Sequence, residues 1–445
     1  MAVDRYSGVH GSSSPAALAA FEDAVDAVAA HRPDAADALQ RCLDADADMV
    51  AAHVLKGLGA VMLARQECLA AAATQLAAAQ AAAGRAGSTT RFEAVLLRAL
   101  EKAVEGDIRA ATALLDAELD QSPKAFLIAK LAHGLRFMAG DAGGMLASTT
   151  ALLPAWSAQD PGYGYLLGCH AFALEENGEY AAAERAGRQA VLIEPRDAWG
   201  MHAVAHVYEM QGRSRAGIGW LTNAKPGWQD CHNFRFHMAW HLGLFLLEEG
   251  RTEEVLDLYD HSVRPECTDD VRDIANATSM LWRLRQEGVH VGGRWEELAE
   301  IASRRRQETI LVFATLHQLL ALVARGERAQ ADDLLSALAR AAACGTTNQS
   351  VVARRVGLPL ARLMVDGKGE GAAVLALARR LHHLGGSHAQ RDVFLRILLD
   401  HAASQGDTAL VGSLLDLRHQ WRRIDRFASR ILPARLGSRV AVQPS

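Results

Sequence analysis

The sequence predicts an all-α protein, a right-handed superhelix of about ten or eleven stacked helical hairpins. Three observations predict it. Alanine and leucine dominate a chain that is 50% hydrophobic and carries only 11 prolines. Strand signals, meaning runs of alternating β-branched residues bounded by tight turns, are nearly absent. Short glycine turns recur at a nearly fixed spacing, and a fixed period is the mark of a repeat array.

The turns fall at Gly106, Gly140, Gly178, Gly212, Gly250, Gly288 and Gly326, in steps of 34, 38, 34, 38, 38 and 38 residues. Chance gives two such steps but not six in a row. Gly406 marks a later turn, and a weaker break near Gly367 fills the gap before it. Two less regular hairpins precede Gly106, turning near His31-Arg32-Pro33 and near Arg65-Gln66. In each turn a left-handed glycine ends the first helix, and the charged residue after it starts the second. Pro123, Pro154, Pro195, Pro226 and Pro265 then follow second helices. The expectation is one solenoid over 1–435, clearest over 90–330, with C-terminal hairpins over 331–435 and a disordered tail at 436–445.

The register is plainest around residues 164 to 231. With Pro195 at repeat position 32, Ala171 falls at 8, Leu174 at 11, Ala183 at 20 and Ala190 at 27. The next repeat puts Ala205 at 8 and Tyr208 at 11. These are the interlocking small and large apolar slots of tetratricopeptide helices, so the solenoid is of that type, with divergent repeats.

Composition narrows the partners. Net charge is -5 and the pI near 6.4, with acidic and basic residues interspersed. No basic stripe exists to release counterions from nucleic acid, and Arg304-Arg305-Arg306 reads as a solvated helix face. The six cysteines are scattered with no C-x-x-C pair, which argues against a disulfide framework or zinc knuckle and for a reducing compartment. Met1 to Pro15 carries no apolar run after a basic start, so no secretion signal is expected. The apolar stretch Leu69 to Ala83 is broken by Thr74, Gln75 and Gln80 and reads as a buried helix, with no membrane span. A cytoplasmic location is expected.

Eighteen histidines is high for this length, and two groups are paired at helical spacing. His202 and His206 lie four apart after Trp199 and before Glu209; His237 and His241 lie four apart around Trp240. Residues four apart share one helical face. Counted back from Gly212 and Gly250, the pairs sit at -10/-6 and -13/-9, nearly one turn apart, so the two faces roughly agree. In tetratricopeptide repeats, positions 2, 5 and 9 line the concave surface. His202 and His206 fall at 5 and 9, and His237 at 2, so a groove location is expected. Three readings follow: a divalent metal ion held by His202, His206, His237 and His241, with Glu209 or another carboxylate completing the shell; a metal-free site with a histidine base; or an ordered polar seam between helices.

Two further clusters join the candidates. Gly385-Gly386 ends one helix, and Ser387 with Gln390 at the third position forms a capping box for the next. That helix start suits an anion, with Arg391 adding a bidentate contact and Asp392 beside it. On another helix Asp273 and Asn276 share a face and could supply carboxylate and amide groups to the groove. The alternatives are turn punctuation for the first cluster and a solvated face for the second. No phosphate-binding glycine loop, Ser-His-Asp order or H-E-x-x-H element occurs.

Several strings taken together resemble the tetratricopeptide repeat protein 38 family. They are Ala171-Phe172-Ala173-Leu174-Glu175-Glu176, Asp197-Ala198-Trp199, His202-Ala203-Val204-Ala205-His206-Val207 and Glu209-Met210-Gln211-Gly212-Arg213. His237 with Trp240-His241, Leu258-Tyr259-Asp260, Leu281-Trp282-Arg283-Leu284, Arg294-Trp295 and Gly385 to Phe394 extend the resemblance over nearly the whole chain. It departs at Met238 and Ala239, where the family carries Asn and Trp. The resemblance implies a divergent tetratricopeptide superhelix and supplies no reaction.

Function is expected to lie in the concave groove, lined by Trp199, His202, His206, Glu209, His237, Trp240, His241, Asp273, Asn276, Ser387, Gln390, Arg391 and Asp392. The leading reading is a scaffold that binds a peptide, a protein segment or a small anionic ligand there. The rival is an enzyme or small-molecule sensor whose His-lined, metal-binding pocket is closed by the superhelix and encloses Arg391 with the four histidines. Catalysis is left open. A homodimer through an edge hairpin is allowed.

Overall fold

Residues 1–12, 14–86, 89–423 and 425–431 are described by a computed structural model, and they are helical almost throughout. The expected tail at 436–445 lies outside the described residues. The exception to helix is a two-residue antiparallel ladder of Ala2–Val3 with Val9–His10. Eleven helical hairpins follow among the described residues, the upper end of the expected number.

The chain packs as two compact units. The first comprises Met1–Val204, Asn223–Arg235 and Thr346–Gln349. It contains the hairpins that begin with helices Pro15–Ala29, Val50–Met62, Arg91–Val104, Phe126–Ala139 and Tyr163–Glu176. An apolar cluster there buries Phe21, Leu58, Leu100, Leu115, Phe126 and Leu135 together. The second unit comprises Ala205–Thr222, Phe236–Gly345 and the chain from Ser350 on. Its hairpins begin with helices Phe234–Glu248, Val271–Gln286, Val312–Arg325, Leu358–Asp366 and His388–Ser404. Helix Ala198–Met210 starts in the first unit and ends in the second.

The turn punctuation read from sequence is physically present. Gly106, Gly140, Gly178, Gly212, Gly250, Gly288, Gly326, Gly367 and Gly406 all have φ between 64° and 83°, a region that side chains with a Cβ enter only under strain. The residue after the glycine often caps the next helix. Asp107, Asp141 and Asp407 accept from the backbone N–H groups of Ala110, Gly144 and Leu410 at 2.9 to 3.0 Å, each cap contributing about 1 kcal/mol. The two irregular turns near the N-terminus use other residues in the same conformation: His31 (φ 56°) and Ala64 (φ 52°). Among the described residues no helix is long and apolar enough to cross a membrane.

Candidate metal centre

Three helices of the second unit build the centre. The end of Ala198–Met210 carries His206 and Glu209, Phe234–Glu248 carries His237, Trp240 and His241, and Val271–Gln286 carries Asn276 and Ser279. Each is a first or inner helix of a hairpin, so residues spaced by three or four project together. Leucines and alanines of the same helices fill the surrounding core, including Leu244, Leu281 and Leu284.

The imidazoles converge. One nitrogen from each of His206, His237 and His241 lies within 4.8 Å of the other two. The rings of His206 and His241 are 4.5 Å apart between centroids, and those of His237 and His241 4.7 Å. Nε2 of His241 is 3.2 Å from Nε2 of His237. On His237 and His241 the other ring nitrogen faces an oxygen. His241 Nδ1 is 3.1 Å from Glu209 Oε2, and His237 Nδ1 is 2.9 Å from Asn276 Oδ1. Facing the Glu209 carboxylate, His241 Nδ1 carries its proton and Nε2 presents a lone pair; with Asn276 Oδ1 toward the ring, His237 is protonated at Nδ1 in the same way. Trp240 fixes the flank: its ring stacks on His237, and its indole N–H donates to Ser279 Oγ at 3.0 Å.

Burial keeps the His237 and His241 rings neutral. His241 is pushed down to about 4, first by burial and then by the neighbouring His206. His237 lies well below the usual imidazole range, first through burial and then through His241. Neutral imidazole is the form that binds a metal ion. Burial alone would raise Glu209, but Arg422, and after it His241, hold its carboxyl well below the ordinary range. Glu209 is thus an anion inside the protein, with Arg422 Nη1 donating to Oε1 at 2.6 Å.

Around Glu209 lies an ion network that spacing did not reveal. Arg422 Nε donates to Asp425 at 2.9 Å, and Arg418 forks to Asp392 and Asp425 at 2.5 to 3.0 Å. Arg396 donates to Asp392 at 2.9 Å. Arg283 caps the carbonyls of Ser279 and Ala389 at 3.2 and 2.8 Å. Burial and then Arg396 push its guanidinium down to about 9. A cavity of about 10 Å³, the room one water needs, lies beside Glu209 between Arg283, Arg396 and Arg422.

The expected lining residues therefore have a different setting. Trp199, His202, His206, Glu209, Trp240, His241, Asp273, Asn276, Ser387, Arg391 and Asp392 are all buried, at 8% exposure or less, rather than spread on an open concave face; His237 and Gln390 are half-buried. The physical reason, within the second unit, is that Arg418, Arg422 and Asp425 cover Glu209 and Asp392. The bonds of Arg391 are local: its guanidinium donates to the carbonyls of Gly385, at 3.3 Å, and Gly386, and lies 3.3 Å from His388 Nδ1. Ser387 and Gln390 form the expected capping box, which occupies the helix start proposed for an anion. Asp392 serves the arginine network. Asp273 accepts from Thr268 Oγ1 at 2.6 Å, leaving Asn276 as the member of that pair that reaches a histidine.

His202 and Trp199 belong to an aromatic cluster of the first unit. His202 lies one turn before His206 on the same helix, and its ring lies 4.9 to 5.3 Å from those of Phe172, Trp199 and Phe234. The Trp199 indole N–H donates to His133 Nε2 at 3.2 Å. Beneath it Asp197 is fully buried, and its carboxyl is pushed up to about 7, first by burial, with Lys130 opposing.

The chain matches no protein-family model. Among solved structures it is similar to the crystal structure of yeast Tom70, with 11% identity and a TM-score of 0.37 over 96% of this chain and 89% of that one. The fold assignment rests on the helix order and turn geometry above.

Proposed function

We propose that this helical-repeat protein holds a divalent transition-metal ion at His206, His237 and His241. The observation that carries the proposal is the 3.2 Å approach of two Nε2 atoms whose rings already use Nδ1 as donor. Two facing lone pairs at that distance repel unless a cation lies between them. Two nitrogens of a tetrahedral zinc site, each at 2.0–2.1 Å, stand about 3.3 Å apart. Carboxylate and carbonyl acceptors on the far nitrogens are the usual outer support of metal-bound histidine. An all-imidazole set suits zinc, iron, copper or nickel better than magnesium or calcium. The repeats act as the rigid frame.

A metal-free arrangement has one observation in its favour: Asn276 Nδ2 has no acceptor. With that amide turned over, Nδ2 donates to His237, His237 Nε2–H to His241, and His241 Nδ1–H to Glu209, a complete relay. Elemental analysis of the purified protein beside His237→Ala and His241→Ala decides between them. Near-stoichiometric metal in the wild type, lost in both variants, is the expected result. A well-folded wild type that binds no zinc, iron, copper or nickel on reconstitution overturns the metal centre and leaves the relay.

A further inference from the structure

We infer that the C-terminal segment around Arg422 is a positioning element of the metal centre, so that metal affinity and the docking of that segment are tied to each other. The inference rests on the metal reading above. Arg422 acts through Glu209. One oxygen of that carboxylate accepts from Arg422 at 2.6 Å and the other faces His241 Nδ1 at 3.1 Å. A carboxylate with both oxygens engaged and 3% exposure has no freedom to turn away from His241. It thereby fixes the tautomer whose Nε2 lone pair points toward His237, and it raises the basicity of that nitrogen.

The segment is anchored to both ligand-bearing helices. The Arg423 N–H donates to the Met210 carbonyl at 2.9 Å, at the end of the helix carrying His206 and Glu209. The Arg426 N–H donates to Glu248 Oε1 at 2.7 Å, at the end of the helix carrying His237 and His241. Asp425 grips Arg422 and Arg418 from behind. A metal ion on His241 Nε2 withdraws electron density from the ring and strengthens its Nδ1–H as a donor to Glu209, which favours the same geometry that Arg422 enforces. Coupling of this kind is reciprocal: whatever factor Arg422 adds to metal affinity, metal adds to the docking of the segment.

The test is zinc affinity, by competition with a chelating indicator, for the full chain and for Arg422→Gln and Arg422→Lys. It is paired with amide hydrogen exchange of residues 418–423 in wild type with and without zinc. Loss of an outer-shell partner typically weakens metal binding about 10- to 100-fold, and Arg422→Gln is expected in that range. Arg422→Lys restores the charge without the fork and is expected to recover part of the loss, which a merely structural defect would not. Zinc is expected to slow exchange over 418–423 by a comparable factor. Wild type that binds zinc, with Arg422→Gln equally tight and exchange unchanged, overturns the inference while leaving the centre standing. Wild type that binds no zinc removes the centre and the inference together. The exchange arm uses wild type alone, so misfolding of a variant does not rescue the idea.

Discussion

Asp197→Asn is expected to stabilise the protein at alkaline pH and to leave it unchanged in acid. Asp197 is fully buried, and its carboxyl is raised from 3.8 to about 7, chiefly by burial. A raised carboxyl binds more protons in the native state than in the unfolded chain between those two values. Stability therefore falls as pH rises through that window, the loss being absent below 3.8 and complete above about 7. The shift is about three units at about 1.4 kcal/mol each, so the ionised carboxylate costs roughly 4 kcal/mol at pH 8. Full burial means solvent screening gives no reason to reduce that figure. Asparagine keeps the size and the acceptor oxygen beside the start of helix Ala198–Met210 and never ionises. Denaturant unfolding of both proteins at about pH 4, 6 and 8 isolates the effect, since every other group titrates alike in the two. The stability difference should grow from near zero to a few kcal/mol. A difference that is flat with pH, or that favours the wild type at pH 8, refutes the assignment of a buried, costly charge.

Three other outcomes follow from the same geometry. Arg418→Met removes the cation shared by Asp392 and Asp425 and should cost roughly 3–5 kcal/mol, read as a lowered denaturation midpoint; a loss under about 1 kcal/mol would mean the carboxylates find other partners. Gly326→Ala meets open space but must hold φ at 73°; backbone strain alone gives about 1 kcal/mol of destabilisation, and an unchanged melting temperature would contradict it. Zinc at a hundred times its dissociation constant should raise unfolding stability by roughly 2.7 kcal/mol in wild type and by nothing in His241→Ala, which calorimetry measures directly.

The hairpin order was legible because it is local. A left-handed glycine and the aspartate after it act within one turn of chain, so Gly106-Asp107, Gly140-Asp141 and Gly406-Asp407 can be read without knowing what packs against them. His31 and Ala64 adopt the same backbone without the glycine, which is why the first two hairpins showed only faint signals. The convergence of His206 with His237 and His241 was half legible: helical spacing puts each pair on a face, and the repeat puts the faces side by side. What lay beyond reach was the cover. Arg422 stands 213 residues from Glu209, on a segment whose repeat register is weak, and no spacing rule joins the two. The same gap explains the misplaced role of Arg391. Its position beside Asp392 suggested an anion contact, whereas Asp392 is taken by Arg396 and Arg418, and Arg391 donates to the carbonyls of the glycine turn.

A network of this kind is a poor way to gain stability, and that bears on what it is for. Arg418, Arg422, Asp392 and Asp425 are all at 9% exposure or less, and each charge loses hydration that ion pairing in a protein interior barely recovers. Apolar residues of similar volume often do as well or better. Alanine and leucine, abundant in this chain, would fill the same space without that cost. What apolar residues cannot do is hold a carboxylate ionised against an imidazole N–H, fixing its tautomer and aiming the opposite lone pair at a neighbour. Glu209 has one oxygen on each side of that division, toward Arg422 and toward His241. The ion network accordingly makes sense as the outer frame of the histidine centre.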